Sequence, residues 1–313
     1  MILVFSHTAD DHAAGVLDAL ARAGQPAALV DTALYPKDGR VTHHLSDKGE
    51  RYDLALNGHR IDLGAARVGW WRRPQPFTLD PALDAKTASF AYNECHEAVA
   101  GLWAALDLTW VNPPALDEAA HHKPYQLAVA RQVGLPIPRT VITNDPVAAE
   151  RLVSEIGPAR TVYKTFLASE DCWRETRIVR PEEVPLLDRV RLAPVIFQEY
   201  VAAVADIRVT VVGDEIFATA VTPAPGGYTV DYRMDLGGAR FAPTSLAAET
   251  ERKLRAFMER LGLVYGAIDL RRTTEGEEIF LEINPAGEWR FVEERSGQPI
   301  TEAMAALLAR LDQ

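Results

Sequence analysis

The sequence AIDLRRTTEGEEIFLEINP, residues 267–285, contains two runs of apolar and β-branched residues on either side of a polar TTEGE centre. This pattern predicts a β-hairpin with its turn in the polar centre. With the turn placed there, Asp269 lies directly opposite Glu282 on the neighbouring strand. Asn284 shares the face of Glu282, because side chains alternate between the two faces of a strand. One face of the hairpin therefore carries two carboxylates and an amide oxygen.

This cluster of oxygen atoms has two interpretations. Mg²⁺ prefers hard oxygen ligands and completes its coordination shell with water and phosphate oxygens, so the cluster suits a magnesium site. The alternative is an ordinary polar face of an amphipathic hairpin, which alternates in the same way. The step from Asn284 to Pro285 favours the metal site, because the proline ends the strand while the asparagine keeps an oxygen at its tip. The opposite face of the hairpin is expected to be apolar and to carry Leu270, Leu281 and Ile283.

Composition indicates a globular protein of two or three units. The chain has 313 residues and 48% hydrophobic content, enough for real cores. No run approaches the ~20 apolar residues that span a bilayer. The first residues, MILVFSH, show no basic segment or cleavage site. Cys95 and Cys172 form no metal-type pair, which fits a reducing environment. A cytoplasmic location is therefore expected.

Charge restricts the choice of partner. The formal net charge is -11, which argues against nucleic acid or an anionic membrane as the main partner. Arginines gather locally at positions 67, 72 and 73 and at positions 174, 177 and 180. The string WWRRP, residues 70–74, has two readings: a core tryptophan beside solvated arginines, or Arg72 and Arg73 facing a cleft where they contact a phosphate or carboxylate.

Secondary-structure patterns predict an α/β (α+β) protein with an N-terminal domain at residues 1–114. Apolar runs and caps there predict the following elements: strands 2–5 and 27–30, a helix from Asp10 or Asp11 to about residue 23, a hairpin of 41–45 with 51–56, a helix over 83–106 and a strand at 109–111.

Two further units are expected, a central one at residues 115–194 and a C-terminal one at 195–313. The central unit begins with a loop and is predicted to contain helices 123–132, 146–156 and 181–190 and strands 139–143, 161–166 and 176–179. The C-terminal unit is predicted to contain strands 195–201, 206–212 and 215–221, a helix over 245–261, the hairpin described above and a last helix over 299–311.

Taken in order, these motifs resemble the ATP-grasp superfamily. The order is a lysine after an NP loop, a second lysine on a strand, a QEYV segment, DIR, then GAIDL and FLEINP. WWRRP together with FLEINPAGEWRFVE, residues 280–293, is similar to the microviridin-type peptide ligases, or graspetide synthetases. The resemblance covers essentially the whole chain and implies an ATP-grasp fold behind an N-terminal pre-ATP-grasp domain.

The resemblance implies how the chain binds ATP. Lys123 and Lys164 would contact its phosphates as point charges. A hinge would contact the edge of the adenine through backbone groups and consists of Gln198, Glu199, Tyr200 and Val201. One departure concerns the loop at residues 167–175, which has no glycine where many ATP-grasp enzymes carry a glycine-rich phosphate lid. No lid residue is therefore assigned.

The resemblance also implies a catalytic set. Asp206 and Arg208 form the DxR motif, with Arg208 directed at the acyl group, and Arg233 is a second candidate for contact with the acyl phosphate. The Mg²⁺ ligands would be Asp269, Glu282 and Asn284.

The implied function is that of an ATP-dependent ligase. It would phosphorylate Asp or Glu side chains of a ribosomal precursor peptide, consisting of leader and core, and close ester or amide cross-links with Ser, Thr or Lys side chains. A homodimer is a further expectation. An ATP-grasp ligase that joins free amino acids shares the whole ATP apparatus and remains the alternative. A nucleotide-binding protein without catalysis is a third reading, which the complete set of Lys, Asp, Glu and Asn residues argues against.

Overall fold

The structure is a computed structural model that describes residues 1–166, 176–224, 226 and 230–313. The loop at 167–175, which lacks the expected lid glycines, lies outside the described residues, as do Cys172 and Arg174. The strands are β1 Ile2–Phe5, β2 Ala27–Val30, β3 Gly39–Ser46, β4 Gly49–Leu56, β5 His59–Ile61, β6 Val68–Trp71, β7 Thr109–Val111, β8 Thr140–Thr143, β9 Thr161–Lys164, β10 Arg177–Ile178, β11 Val195–Glu199, β12 Ala205–Val212, β13 Glu215–Thr222, β14 Arg240–Pro243, β15 Tyr265–Arg272 and β16 Glu278–Asn284. The α-helices are α1 Asp11–Arg22, α2 Ala85–Ala105, α3 Pro114–His121, α4 Lys123–Gln132, α5 Pro146–Ile156, α6 Ala248–Leu261, α7 Arg290–Ser296 and α8 Ile300–Leu311.

The N-terminal part is built on a parallel sheet in the order β2-β1-β6-β7. Its central strand β1 is apolar and completely buried, as expected for a parallel strand covered on both faces. Helix α1 begins at the predicted place, because the Asp10 carboxylate accepts a hydrogen bond from the His12 N–H. The predicted hairpin is present as β3 and β4, and β5 extends it to three strands.

The central part contains the sheet β10-β9-β11-β8, with α5 packed against it. Residues 181–190 were expected to form a helix, and the structure has a 3₁₀ helix at Pro181–Leu192 with Pro185 inside it. The prediction of a loop between residue 112 and residue 123 is wrong, because α3 occupies most of that segment. Pro114 begins α3 at a position where its missing N–H leaves no bond unmade.

The C-terminal part is an antiparallel sheet in the order β14-β13-β12-β15-β16, and β12 is buried at every residue. Asp269 pairs with Glu282, as the sequence predicted. A β-bulge after Asp269 then shifts the register, so Leu270 pairs with Phe280. The expected position of Leu281 on the apolar face is therefore wrong, because Leu281 lines the cleft beside Glu282.

The first and last parts of the chain share one hydrophobic core. Ile2 and Trp70 from the parallel sheet are buried together with Ile300, Met304 and Leu308 of α8. Helix α8 therefore completes the N-terminal unit. Within the described residues, no helix has the length and apolar character needed to cross a membrane.

Candidate active site

A cleft lies between the sheet β10-β9-β11-β8 and the sheet that carries the hairpin. It brings together most of the residues predicted from the sequence, namely Lys123, Lys164, Gln198, Glu199, Tyr200, Val201, Asp206, Arg233, Asp269 and Glu282. The sequence analysis assigned no role to four further charged or aromatic lining residues, which are Asp231, Tyr232, Arg271 and Phe166.

Two DxR tripeptides on neighbouring antiparallel strands form the floor of the site. Because the strands run in opposite directions, Asp206 pairs with Arg271 and Arg208 pairs with Asp269. The Arg208 Nη1 lies 3.0 Å from both carboxylate oxygens of Asp269, and the Arg271 Nε lies 3.2 Å from Asp206 Oδ1. Burial opposes charge on Arg208, but Asp269 raises the pKa of this guanidinium above its usual value. Burial raises the pKa of Asp206 to about 6 against the effect of Arg271.

Glu282 and the two predicted lysines form the next layer. The Lys123 ammonium donates a hydrogen bond to Glu282 Oε2. Burial alone would raise the pKa of Glu282, but Lys123, Lys164 and Arg233 hold it well below its usual range. Burial lowers the pKa of Lys164, which Glu282 partly offsets. Glu282 is therefore an ionised carboxylate surrounded by positive charge.

Gln126 on α4 fixes the position of Lys123 relative to strand β16. Its amide donates to the Ile283 carbonyl at 2.8 Å and accepts from the Ile283 N–H at 3.1 Å. These two bonds satisfy the edge of β16 as a neighbouring strand would. Lys123 is the first residue of the same helix, so its ammonium is brought against Glu282.

The predicted hinge offers a free backbone donor. The Glu199 N–H donates to the Arg139 carbonyl and the Tyr200 N–H to the Arg160 carbonyl, each at 2.8 Å. The described part of the chain provides no acceptor for the Val201 N–H. Gln198 is buried, and its amide donates to Thr140 Oγ1 at 2.9 Å.

Arg233 and its neighbours close the cleft on the side of the hairpin. The Arg233 guanidinium is half exposed and lies 2.7 Å from Asp231 Oδ2, a hydrogen bond that raises its pKa above the usual value. The Tyr232 hydroxyl lies 3.4 Å from Asp269 Oδ1, and burial raises the pKa of that hydroxyl.

The other predicted site residues lie outside the cleft lining. Asn284 is exposed, and its Oδ1 accepts a hydrogen bond from the Ala286 N–H at 3.0 Å. Arg208 lies behind Asp269. Arg72 is fully buried against Asp10, and Arg73 forms a half-exposed ion pair with Glu288 at 2.8 Å. The roles of these residues stay predictions. Arg72 was expected to be solvated or to face a cleft, but its buried guanidinium donates to backbone carbonyls of the protein.

The donor set fits Mg²⁺ and a nucleotide. Asp269 and Glu282 present carboxylates from directly opposite positions, and hard oxygen ligands of this kind suit Mg²⁺. Lys123 and Lys164 supply positive charge for phosphates. Val201 lines the same cleft, and its N–H is a hydrogen-bond donor for a ligand acceptor. Protein cations balance both carboxylates, since Arg208 pairs with Asp269 and Lys123 pairs with Glu282.

Fold and site together define an ATP-grasp protein. The family model of the RimK-like ATP-grasp domain matches residues 120–308, so the chain belongs to the RimK-like ATP-grasp family. The N-terminal part matches the model of the MvdD pre-ATP grasp domain over residues 1–118. The resemblance inferred from the sequence is thereby confirmed, while the division of the chain at residues 114 and 194 stays a prediction.

Solved structures resemble the chain over its full length. The macrocyclase MdnC bound with precursor peptide MdnA, from Microcystis aeruginosa MRC, is 28% identical with a TM-score of 0.88 and 99% coverage of both chains. The macrocyclase MdnB from the same organism is 28% identical with a TM-score of 0.83 and 98% coverage of both. A RiPP-associated ATP-grasp ligase from Chryseobacterium gregarium, in complex with ADP and a leader and core peptide, is 24% identical with a TM-score of 0.89. It covers 99% of this chain and 96% of its own, and supports the fold alone.

Curated relatives match a smaller part. The probable alpha-L-glutamate ligase 1 of Shewanella sp. (strain W3-18-1) is 27% identical over 192 residues, which is 59% of this chain and 62% of the relative. The probable alpha-L-glutamate ligase of Klebsiella pneumoniae (strain 342) is 28% identical over 187 residues, 58% of this chain and 61% of the relative. The chain thus spans about 62% of the length of the first of these relatives.

Proposed function

We propose that the chain is an ATP-dependent ligase that activates Asp or Glu side chains of a ribosomal precursor peptide and cross-links them to Ser, Thr or Lys side chains. The observation that carries the proposal is the extent of the similarity. The macrocyclase MdnC is similar over 99% of both chains, including the N-terminal part, whereas the glutamate ligase matches 59% of this chain. A function that requires the N-terminal part is therefore favoured.

The proposed reaction has two steps. A carboxylate oxygen of the peptide attacks the γ-phosphorus of ATP, and the bond to the β-phosphate oxygen breaks to release ADP. A hydroxyl or amine then attacks the acyl carbon, loses its proton and expels phosphate. Lys123 and Lys164 would hold the phosphates, and the half-exposed Arg233, which lines the same cleft, would contact the acyl phosphate.

Mg²⁺ held by Asp269 and Glu282, with Asn284 as the third predicted ligand, would neutralise charge that develops on the transferred phosphoryl group. Arg208 fixes the Asp269 carboxylate by two hydrogen bonds, so it orients that ligand from behind. Lys123 also pairs with Glu282 and compensates its charge. The backbone of Val201 would read the adenine edge.

The partner is proposed to be a precursor peptide with leader and core. The net charge of -11 supports neither nucleic acid nor an anionic membrane as partner. A homodimer and a cytoplasmic location are proposed with it.

The test is incubation with ATP, Mg²⁺ and a cognate precursor peptide, followed by mass spectrometry. The product should lose one water for each bond formed, because activation and closure together are a dehydration. A Glu282→Gln variant should leave the peptide unchanged. Glu277→Gln is the matched control, because Glu277 lies exposed on the same hairpin, and it should be fully active.

A second candidate function is a ligase for free amino acids, which the glutamate ligase relatives favour. The same mass spectra separate the two. Addition of glutamate residues to a peptide or amino acid, without loss of water inside the precursor, would replace the first proposal by the second.

A further inference from the structure

The loop at residues 285–288 follows directly after the predicted metal-binding strand, and side chains bind each of its four carbonyl oxygens. The donors come from distant parts of the chain. The pairs are Asn112 Nδ2 to Pro285 O at 3.1 Å, Arg72 Nη1 to Ala286 O at 2.5 Å and to Gly287 O at 3.0 Å, the Tyr265 hydroxyl to Gly287 O at 2.6 Å, and Arg208 Nη2 to Glu288 O at 2.9 Å. We call residues 285–288 with these four side chains the carbonyl clamp.

Arg72 is the member of the carbonyl clamp that is hardest to explain by stability. Its side chain is completely buried, and its Nε lies 3.1 Å from Asp10 Oδ2. Burial lowers the pKa of Arg72, and Tyr265 and Asp10 oppose this effect. A buried ion pair is weak evidence for stability, because well-packed apolar residues of the same volume are often as good. An apolar residue, however, could not hold two successive carbonyls.

Arg72 directly follows strand β6 of the N-terminal sheet. Trp70, two residues earlier on that strand, is buried in the core, and the Arg72 guanidinium lies 5.3 Å from the centre of the Trp289 ring. Asn112, which directly follows β7, also accepts hydrogen bonds at its Oδ1 from the N–H groups of Val264 and Tyr265, each at 2.8 Å. Both side chains therefore tie the hairpin to the N-terminal sheet.

The loop is held equally closely from the other side. A Cβ on Gly287 would lie 2.4 Å from the Ala267 Cβ and 3.0 Å from Arg208 Nη2. Glycine is therefore required for the loop to lie against β15. The clamp begins at Pro285, three residues after Glu282 and directly after the last residue of β16, so a shift of the loop moves the strand end that carries Glu282 and Asn284.

We propose that Arg72 is a positioning residue for the metal site. By holding the carbonyls of Ala286 and Gly287 on the N-terminal sheet, it sets the spacing between Asp269 and the oxygens at the end of β16. This inference rests on the proposed function for its Mg²⁺-nucleotide chemistry, and it gives Arg72 a role other than contact with the peptide.

The test uses Arg72→Lys, Arg72→Ala and Gly287→Ala in the full chain, with Arg67→Lys as control. Arg67 lies just before the same strand and is exposed. ADP affinity is measured by calorimetry with and without Mg²⁺, and amide exchange of residues 286–289 is measured without ligand. Arg72→Lys and Gly287→Ala should need about tenfold more Mg²⁺ for half-maximal ADP affinity, as for other groups that orient metal ligands.

The same variants should leave ADP affinity without Mg²⁺ at the wild-type value and should speed exchange in the loop. Added guanidinium should return the Mg²⁺ requirement of Arg72→Ala to the wild-type value. This rescue would not occur if the variant had lost its fold. If Arg72→Ala does not fold, Arg72→Lys and Gly287→Ala carry the test.

Two outcomes would overturn the proposal. One is a wild-type Mg²⁺ requirement in Arg72→Lys, whatever Gly287→Ala shows, because a Cβ at residue 287 also presses on Arg208. The other is an equal loss of ADP affinity with and without Mg²⁺, which would assign Arg72 to general folding. Wild-type protein that binds no ADP would instead contradict the proposed function, and the exchange data would still show whether Arg72 holds the loop.

Discussion

The cleft and the carbonyl clamp each contain a cation paired with a carboxylate, but only the cation of the clamp also binds the backbone. In the cleft, Lys123 pairs with Glu282 and both side chains are about one-fifth exposed. In the carbonyl clamp, Arg72 has no exposed surface, pairs with Asp10 and also donates to neutral carbonyls of the backbone. A carboxylate pair near solvent can exchange its cation for a metal or a phosphate. A buried cation bound to backbone carbonyls can only hold them in place.

Mutation should therefore affect the two regions differently. Changes in the cleft should reduce activity and leave the fold, whereas changes in the clamp should act through position and stability. The following four expectations test this division, starting with the largest effect.

Glu282→Ala should reduce ATP turnover by roughly a thousandfold, because it removes a charged oxygen ligand from the reacting centre. The fold should be retained, since Glu282 lies at the cleft surface and its removal frees Lys123 to water. Steady-state release of phosphate and thermal unfolding measure the two effects. Near-normal turnover at ordinary Mg²⁺ would contradict the assignment of Glu282 as a metal ligand and the prediction of a metal site in the cleft.

Arg208 belongs to both regions, since it binds Asp269 in the site and the Glu288 carbonyl in the clamp. Arg208→Ala should lower the free energy of unfolding by about 3 kcal/mol, because it removes the main cationic partner of the mostly buried Asp269 carboxylate. Arg208→Lys should reduce peptide modification nearly as much as Arg208→Ala does, because one ammonium cannot bind both the Asp269 carboxylate and the Glu288 carbonyl, which Nη1 and Nη2 of Arg208 contact. Denaturant unfolding and mass spectrometry provide the data, and full activity in Arg208→Lys would show that charge alone suffices.

Lys164→Met should raise the ATP concentration needed for half-maximal rate by about 10–100-fold, through loss of charge-assisted phosphate contact. Stability should stay constant or rise, because burial already lowers the pKa of this ammonium. The comparison is with Arg208→Ala, whose affinity for ATP should fall much less. An unchanged ATP dependence would place Lys164 outside the phosphate site.

The pH dependence of stability should have opposite signs in the two regions. Asp117 is buried beside Asn112 of the clamp, and burial raises its pKa from 3.8 to about 6 against the effects of His121 and Asn112. Between these values the folded state binds more protons than the unfolded state, so stability falls as the pH rises. Glu282 has a lowered pKa, so its contribution is present above its unfolded pKa and is lost as the pH falls.

Asp117→Asn should remove the first effect, because an amide stays neutral throughout. The difference in unfolding free energy between wild type and variant should change by about 2–3 kcal/mol between pH 4 and pH 6. Denaturant titrations across this range measure it. A constant difference would mean that Asp117 stays charged in the folded protein.

Much of the site could be predicted from the sequence because it depends on strand alternation and register. The hairpin period places Asp269 opposite Glu282, as observed. The repeated tripeptides DIR and DLR also contain the pairing of Asp206 with Arg271, a signal that the sequence analysis did not use. The bulge after Asp269 could not be predicted, since it depends on packing of Leu270 and Phe280 in the core.

The contacts of Arg72 and Gln126 have no local pattern. Each binds backbone groups more than 150 residues away, and an arginine or glutamine that binds a carbonyl looks like any surface residue in the sequence. Helix α3 was missed for a different reason. The two prolines at its start, Pro113 before the helix and Pro114 at its first position, resemble a loop, although proline at a first helical position is compatible with a helix.

The shared core of the first and last segments has a consequence for folding during synthesis. Ile2, Val16 and Trp70 are covered by α8, whose residues are made almost 300 positions later than Ile2. Until α8 leaves the ribosome, one face of the N-terminal sheet exposes its apolar side chains. Contacts this distant in sequence form late and slowly, and the uncovered sheet is open to aggregation meanwhile. Expression of residues 1–118 alone would make that transient state permanent.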